Sequence, residues 1–451
     1  MKTLTFKKGI YQPHHKYTAG DKTVVLPTDN ELVYVFPMLQ HIGAPCKPLV
    51  EIGDRVLVGQ KIGDTDAFLS SPVHATVSGV VEKIAPSLMA NGQFSEAVYV
   101  KSDGLMEEAS SINKPHDHQN MSREEILNVI HQAGIVGIGG AGFPTHVKLN
   151  PPLEKREKVD TVIINAAECE PYLTTDHRVM LEETERILLG LMVMLSLFPG
   201  SKGVIGVETN KMDAIHALEA LCQKEPYKGK ISVAHLLPKY PQGAERQLIY
   251  AVTGREVPSG GLPFDAGCIV NNADTTIAIH RALYRGRPLM RKIITVSGGA
   301  AAKPGNYKVR LGLRYEDMMN LIGGFKETPH KMIAGGPMMG SAMYSLDVPL
   351  TKVSSGFLVL TKEESGAFTE QNCIRCGKCV NACPANLMPL ELNQFVVREQ
   401  LETFEKEHGK DCIECGCCSY VCPANRHLVQ SIRVGKSQLI ALNAKKTEKA
   451  I

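Results

Sequence analysis

Nine of the thirteen cysteines lie between residues 373 and 422, in two near copies of one pattern. The first copy, "CIRCGKCVNACPAN", spans 373–386, and the second, "CIECGCCSYVCPAN", spans 412–425. Each copy reads C-x2-C-x2-C-x3-C-P, a spacing in which three cysteines ligate one [4Fe–4S] cluster and the fourth ligates its neighbour. The repeat therefore predicts two clusters, which carry electrons one at a time.

The two predicted clusters exchange their fourth ligands. Two zinc sites or free cysteines are the alternatives, but zinc sites usually use two separated C-x2-C pairs, not a triple run followed by C-P. Cys417 belongs to neither ligand set, and we expect a packed thiol there. The first predicted set is Cys373, Cys376, Cys379 and Cys422, and the second is Cys412, Cys415, Cys418 and Cys383.

A glycine-rich stretch, "GIVGIGGAGFPTHVKL" at 134–149, contains the G-x-G-x-x-G spacing of a dinucleotide fingerprint. A Rossmann loop, however, follows a strand and opens a helix. Here a helix with a Ser122–Glu125 capping box comes before the glycines, and Pro144 follows them. A turn-rich loop without a ligand is a second alternative. So many glycines instead predict backbone pressed against a phosphate-bearing cofactor, held by main-chain N–H groups.

The elements around these motifs form several modules. The pattern of short apolar runs and turns over residues 48–84 is typical of a lipoyl- or biotinyl-like half-barrel. However, no lysine lies between Lys61 and Lys83 to carry a prosthetic group. A structural or docking module is predicted there instead. Strand and helix patterns then alternate from 122 to 254, which indicates an α/β layer domain. From residue 291 a hairpin and a short helix predict a small β-grasp-like module.

The predicted fold class is therefore multidomain, α/β and α+β. The predicted domains are a lipoyl-like β half-barrel (1–110), an α/β cofactor domain (120–290), a β-grasp-like, SLBB-type module (291–350), a two-cluster ferredoxin-type α domain (365–435) and a polar tail (436–451).

The composition and charge of the chain argue against nucleic-acid binding, export and membrane insertion. The 451 residues include 50 Lys and Arg and 47 Asp and Glu, a net charge of +3, and so balanced a charge gives no indication of nucleic-acid binding. The start, "MKTLTFKKGI", has no signal-peptide core. The apolar run at 188–198 is shorter than the roughly 20 residues that a membrane span needs, and it predicts a buried helix. Membrane association is thus expected only through a partner.

Four segments resemble the NADH-binding flavoprotein subunit of respiratory complex I. "GIGGAGFPTHVK" (137–148) resembles its flavin loop, "INAAECEP" (164–171) its N-A-D-E-x-E-P stretch, "YPQGAERQL" (240–248) its Y-x-x-G-E-E-T-A segment, and "IVNNADT" (269–275) its V-N-N-x-E-T segment. Over nearly the whole chain the match is closer to the RnfC family, the C subunits of Rnf electron-transport complexes. It includes "QHIGAPCKPLVEIGDRVLVGQKIG" (40–63), "SSPVHATVSGVV" (70–81) and the double cysteine run.

The resemblance implies non-covalent FMN with NADH stacking on it. No catalytic side chain is predicted, because hydride chemistry belongs to the cofactor. Carried over by position, the residues expected at the FMN are Gly137, Gly139, Gly140, Lys148, Asn165, Glu168, Gly243, Asn271, Asn272 and Thr275, with the lysine near the phosphate. Those expected to face the nicotinamide nucleotide are Phe143, Glu170, Tyr240 and Glu245.

Three positions depart from the complex I motifs: Ala167, Ala244 and Ile138. They bear on dinucleotide affinity and flavin potential more than on FMN binding itself. Cys169 and Cys268 are expected to be buried as small hydrophobic residues.

The function that the resemblance implies is electron exchange between NADH and a one-electron carrier, a ferredoxin or a flavin or cluster subunit. The chain would be a peripheral subunit at the cytoplasmic face of a membrane complex, coupled there to ion translocation. One alternative is the cobalamin reductase of propanediol-degrading microcompartments, a family that carries its half-barrel after the flavin loop. The other is a cluster-bearing scaffold without dinucleotide chemistry, supported by Ala167 and Ala244 alone.

Overall fold

The computed structural model describes residues 3–28, 31–366 and 368–448, with side chains up to 443. The strands are β1 (Val24–Val25), β2 (Val33–Pro37), β3 (Lys47–Pro48), β4 (Arg55–Val56), β5 (Lys61–Asp64), β6 (Val73–His74), β7 (Gly79–Leu88), β8 (Phe94–Ser102), β9 (Thr161–Ala166), β10 (Lys202–Glu208), β11 (Ile231–Leu236), β12 (Cys268–Asn272), β13 (Arg291–Ser297), β14 (Gly305–Arg310), β15 (Lys331–Ala334), β16 (Ser341–Met343) and β17 (Gly356–Leu360).

The helices separate the sheets and build the C-terminal module. They are α1 (Arg123–Gln132), α2 (Thr145–Lys148), α3 (Leu153–Arg156), α4 (Thr175–Glu182), α5 (Thr184–Ser196), α6 (Met212–Cys222), α7 (Glu245–Thr253), α8 (Ala273–Arg285), α9 (Tyr315–Leu321), α10 (Lys362–Ser365), α11 (Lys378–Ala382), α12 (Pro389–Val397), α13 (Leu401–Lys406), α14 (Cys417–Tyr420) and α15 (Leu428–Glu448).

Two small antiparallel sheets form the half-barrel, with strand orders β2-β8-β7-β4 and β3-β5-β6. The β-grasp module contributes a six-stranded sheet of order β1-β14-β13-β17-β15-β16. One hydrophobic core joins the two modules, since Val56 and Val98 of the half-barrel belong to the same buried cluster as Ile294 and Phe357 of the larger sheet. The half-barrel is therefore packed firmly against the rest of the chain.

The α/β domain has a four-stranded parallel sheet of order β11-β10-β9-β12. Its strands are apolar and buried because helices cover the sheet, and α5 and α8 pack against each other over it. Parallel strands point their carboxyl ends to one edge, where ligands collect in open α/β sheets. Asn165 of β9 and Asn271 and Asn272 of β12 lie at that edge.

The sequence pattern predicts most of these elements, and two features differ from it. The predicted helix over 177–195 is interrupted at Glu183, which has a non-helical backbone (φ −131°, ψ 31°) between α4 and α5. The described part of the predicted polar tail continues α15 through residue 448, and 449–451 lie outside the described residues. Residues 4–18, at the start of the predicted half-barrel domain, contact the α/β and cysteine-bearing modules.

The apolar run at 188–198 is buried in α5 and the turn that follows it, as predicted. Within the described ranges, none of the helices combines the length and the hydrophobicity that a bilayer span requires.

Candidate functional site

The glycine-rich stretch folds as a closed loop between α1 and α2. At its neck, Gly137 N donates to Phe143 O at 2.8 Å, and Thr145 N donates to Ile135 O at 3.1 Å. Residues 139–141 at the tip are exposed, and nothing lies within 4 Å of the place where a Cβ on Gly140 would stand. The loop thus presents bare backbone to open space.

The four flavin-like segments meet at the carboxyl edge of the parallel sheet. Asn165 Nδ2 donates to Gly243 O at 2.7 Å, and Asn272 Nδ2 donates to Asn165 O at 3.4 Å. A Cβ on Gly139 would lie only 3.3 Å from Asn272 Nδ2, so the glycine loop rests on the end of β12. Segments separated by more than a hundred residues therefore form one continuous surface.

Lys148, at the end of α2, joins the same surface. Its Nζ donates to Glu245 Oε1 at 2.8 Å and to Val270 O at 2.9 Å. The Lys148 and Glu245 side chains are 25% and 38% exposed, so a ligand can reach both. Two residues that the sequence assigns to different ligands, the FMN phosphate and the nucleotide, are thus in direct contact.

Several other predicted residues act from behind this surface. Thr275 is fully buried, and its Oγ1 accepts a hydrogen bond from Ile138 N at 2.9 Å, which anchors the glycine loop to α8. Asn271 is also buried; its Nδ2 contacts Met194 Sδ at 3.3 Å, and its Oδ1 has no partner among the described residues. Glu168 caps α4, since its carboxylate accepts from Asp176 N at 2.6 Å.

Glu170 and Tyr240 point toward the cysteine-bearing module. The Glu170 carboxylate accepts from Met338 N at 3.1 Å and Met339 N at 2.9 Å, in the turn between β15 and β16. Burial raises the pKa of Glu170 to about 7, against the lowering effect of these N–H donors. Tyr240 is 1% exposed, and its hydroxyl donates to Cys415 O at 2.9 Å. Two of the four residues expected at the nucleotide, Glu170 and Tyr240, therefore occupy a junction between modules.

The cysteines gather in the two predicted ligand sets. A cavity of about 100 Å³ is lined by the thiols of the first set, including Cys422 from the second run. A second cavity is lined by Cys412, Cys415, Cys418 and, from the first run, Cys383, and Cys417 also lines it. Four thiols spaced around a void suit a cluster better than a single tetrahedral zinc ion, whose ligands converge on one point.

The two ligand sets differ in their exposure to solvent. Cys373 and Cys376 of the first set are exposed, whereas every cysteine of the second set is buried or half-buried. Cys417, outside both sets, is fully buried, as expected. Cys268 is buried too. Cys169 is half-buried, and its Sγ accepts a hydrogen bond from Gly243 N at 3.2 Å, so this thiol contributes a polar contact as well as apolar packing.

Four family models match the chain in the order in which these modules occur. An RnfC barrel sandwich hybrid domain matches residues 4–105, and an Nuo51 FMN-binding domain matches 130–281. An SLBB domain matches 293–342, and a 4Fe-4S dicluster domain matches 372–426.

Curated relatives extend the match to nearly full length. The C subunit of the Na(+)-translocating ferredoxin:NAD(+) oxidoreductase complex of Acetobacterium woodii is 45% identical over 98% of this chain and 98% of its own length. The chain belongs to the RnfC family, the C subunits of ion-translocating oxidoreductase complexes. The Clostridium ljungdahlii member, named for proton translocation, is 44% identical over 96% of this chain and 94% of its own. A Vibrio cholerae member is 38% identical, and the match covers 91% of this chain but 52% of that longer protein.

The cofactors of this RnfC chain are FMN and two [4Fe–4S] clusters, and its residues fit them. The glycine loop offers open backbone, and Lys148 offers a cation beside it, which is what a phosphate group needs. The thiols of both cysteine runs surround cavities in the crossed arrangement that the repeat predicts.

Sequence reasoning missed three charged residues of the RnfC site. Two are lysines that hold the loop after β9: Lys16 Nζ donates to Glu168 O at 2.8 Å and to Glu170 O at 2.9 Å, and Lys211 Nζ donates to Ala167 O at 2.8 Å. The third is Asp176, whose Oδ2 accepts from Asn272 Nδ2 at 2.8 Å. Burial, reinforced by the neighbouring Glu168, raises the pKa of Asp176 to about 7. None of the three stands in a recognisable motif.

Proposed function

We propose that this chain exchanges electrons between NADH and a one-electron carrier, through FMN and two [4Fe–4S] clusters, as a peripheral subunit at the cytoplasmic face of a membrane complex. In that complex the exchange is coupled to ion translocation, as the relatives' names state for those proteins. The observation that carries the proposal is the contact of Tyr240 with Cys415, which joins the flavin-like segments to the second ligand set.

FMN supplies the chemistry that converts a hydride into single electrons, and the chain supplies position and charge. Exposed main chain at Gly139 and Gly140 and the Lys148 ammonium suit the phosphate end of FMN. The remaining wall consists of Gly137, Asn165, Gly243 and Asn272. Glu168, Asn271 and Thr275 support this wall from behind, through the contacts described above.

The dinucleotide is expected on the exposed side of the same surface. Phe143 is half-buried at the neck of the glycine loop, and Glu245 is accessible beside Lys148. A carboxylate in this position can accept hydrogen bonds from ribose hydroxyls or a carboxamide. Glu170 and Tyr240 have their polar atoms engaged at the junction, so we assign them to the alignment of the cluster module.

The solvent exposure of the cysteines suggests the order in which electrons pass the two clusters. The second ligand set is the inner one, because Tyr240 contacts its Cys415 from the flavin side. The first set is the outer one, because Cys373 and Cys376 reach the surface. Electrons from NADH would thus pass the second cluster before the first and leave at the exposed thiols. The redox partner is a protein that carries electrons singly, a ferredoxin or another cluster-bearing or flavin subunit.

Anaerobic titration of the purified holoprotein with NADH tests the proposal. We expect flavin bleaching followed by reduction of both clusters, observed by absorbance and by electron paramagnetic resonance. Flavin that NADH does not reduce, in protein that contains FMN and the full iron content, would favour the scaffold without dinucleotide chemistry.

A further inference from the structure

The first described residues run as a strap across three modules. Residues 4–18, named here the N-terminal strap, begin beside the parallel sheet, where Leu4 bridges Leu236 at the end of β11. The strap is well seated, since Phe6 and Ile10 are 4% and 5% exposed. At its far end, Thr18 O accepts from Asn306 Nδ2 at 2.9 Å, in the β-grasp sheet.

The strap forms hydrogen bonds with the loop that follows β9. The Lys16 ammonium donates to the main-chain oxygens of Glu168, Glu170 and Leu173. Tyr172 N in turn donates to His14 O at 3.0 Å. Glu168 and Tyr172 have left-handed backbones (φ 48° and 67°), which non-glycine residues adopt only where their surroundings impose it. The strap therefore helps to impose the conformation of a loop at the proposed flavin site.

The same strap also contacts both cysteine runs, the first through α11 and the second at Cys415. Gly9 N donates to Ala382 O at 3.2 Å, and Lys8 Nζ donates to Val380 O at 3.3 Å, both on α11. Ile10 bridges Tyr240 and packs in one buried cluster with Ala382, Cys415 and Cys417. The N-terminal strap thus contacts both the flavin-like segments and the cysteine-bearing module, the two sides of their junction.

We propose that the N-terminal strap is a positioning element for electron transfer between the flavin and the inner cluster. The inference rests on the proposed function and extends it from the predicted cofactor residues to a segment outside that set. Lys16 of the strap holds the loop after β9, and Gly9 of the strap holds α11. If the strap is displaced, this loop and α11 can therefore move apart.

Gly9→Ala is the test variant. Gly9 has a left-handed backbone (φ 80°), and a Cβ there would lie 2.6 Å from Tyr240 O and 2.7 Å from the Phe6 ring. Ile10→Ala loosens the same contact by removing buried apolar volume. Gly20→Ala is the matched control, because nothing lies within 4 Å of its Cβ position. Hydrogen–deuterium exchange at 168–173 and 378–382 reports strap contact independently of activity.

In stopped-flow reduction by NADH, we expect Gly9→Ala and Ile10→Ala to keep the flavin phase within about twofold of wild type. The cluster phase should be slower by about tenfold or more, which corresponds to roughly 1.4 kcal/mol of barrier. Exchange should quicken at both segments, and Gly20→Ala should match wild type in every measurement.

Wild-type cluster reduction in a variant whose exchange shows a released strap would overturn the inference. So would equal slowing of both phases together with lost FMN, because the strap would then stabilise the flavin site alone. Failure of wild-type flavin to accept electrons from NADH would instead count against the proposed function, and the exchange data would still report whether the strap links the two segments.

Discussion

At the scale of single residues, Lys148 and Glu245 share one ion pair within the proposed flavin site. We expect Lys148→Ala to lower FMN occupancy, because a cationic partner for the phosphate is lost. We expect Glu245→Ala to retain FMN but to raise the half-saturating NADH concentration about ten- to hundredfold. This is the expected effect of losing one hydrogen bond between NADH and a charged group. FMN content and stopped-flow flavin reduction measure the two effects.

Because the two side chains touch, their effects should not add. In the double variant, FMN occupancy should exceed the value that summing the single effects predicts. Loss of FMN in Glu245→Ala with unchanged NADH binding would contradict the assignment of that carboxylate to the dinucleotide.

Asp176 gives the site a pH-dependent stability. Its pKa is about 7 in the folded chain, above the roughly 3.9 of an unfolded aspartate. The stability that its protonated form contributes is therefore complete below about pH 4 and is lost as the pH rises through 7. We expect Asp176→Asn to be more stable than wild type by about 1–3 kcal/mol at pH 8, with the difference vanishing near pH 4.

Thermal unfolding of flavin-depleted protein from pH 4 to 8 measures this difference. The exposed Asp66, replaced by Asn, provides the control, and its curve should follow wild type. A constant difference between Asp176→Asn and wild type across the whole range would show that Asp176 does not titrate there.

Residue types in motifs could be predicted from the sequence, but their partners could not. The repeat spacing alone indicated the crossed ligand sets around the two cavities. In contrast, Lys16 stands 152 positions before Glu168, and no local pattern links an isolated lysine to carbonyls so distant. The orientation of Glu170 toward the turn at 338–339 depends on a second module in the same way.

At the scale of elements, we expect each of the two cysteine loops to supply ligands to both clusters. Cys376→Ser should lower the iron content of anaerobically reconstituted protein from about eight toward four per chain, because one cluster loses a ligand. Cys417→Ser should keep about eight irons, since that fully buried thiol lies outside both sets. Iron and sulfide analysis decides, and four or fewer irons in the wild-type chain would contradict the two-cluster assignment.

The family and the fold class predicted from the sequence are confirmed, and so is the character of most elements. Buried apolar runs indicate β9 and β10 because helices cover the sheet on which they lie, and the Ser122 capping box marks the start of α1. The break at Glu183 has another origin. Its carboxylate is held by Arg281 and Lys308 of other elements, and such contacts leave no periodic signal in the chain.

At the scale of the whole molecule, the rim of the outer cluster is cationic. Arg375 and Lys378 line the first cavity beside the exposed Ile374, and none of the described residues that line this cavity is a carboxylate. We expect Arg375→Glu and Lys378→Glu to slow electron delivery to an acidic one-electron carrier by about tenfold at low salt, with the difference shrinking at high salt. NADH reduction of the flavin should be unchanged.

Lys224→Glu is the control for this experiment. Lys224 is an exposed cation just after α6, in the connection that leads to the start of β11 and away from the carboxyl edge of the sheet. Equal slowing by Lys224→Glu would indicate a dependence on net charge and would remove the outer rim as the site of electron exit.

The strap also has a consequence for biosynthesis. Lys8 and Val380 are in contact although 372 positions separate them, so the ribosome releases the strap long before its cluster-side partner exists. Domains generally fold as units during synthesis, N-terminal ones first. The α/β domain can thus recruit the strap early, but the junction closes only once α11 has emerged. Insertion of iron and sulfide is then best timed to the end of translation, when the thiols of both runs are present together.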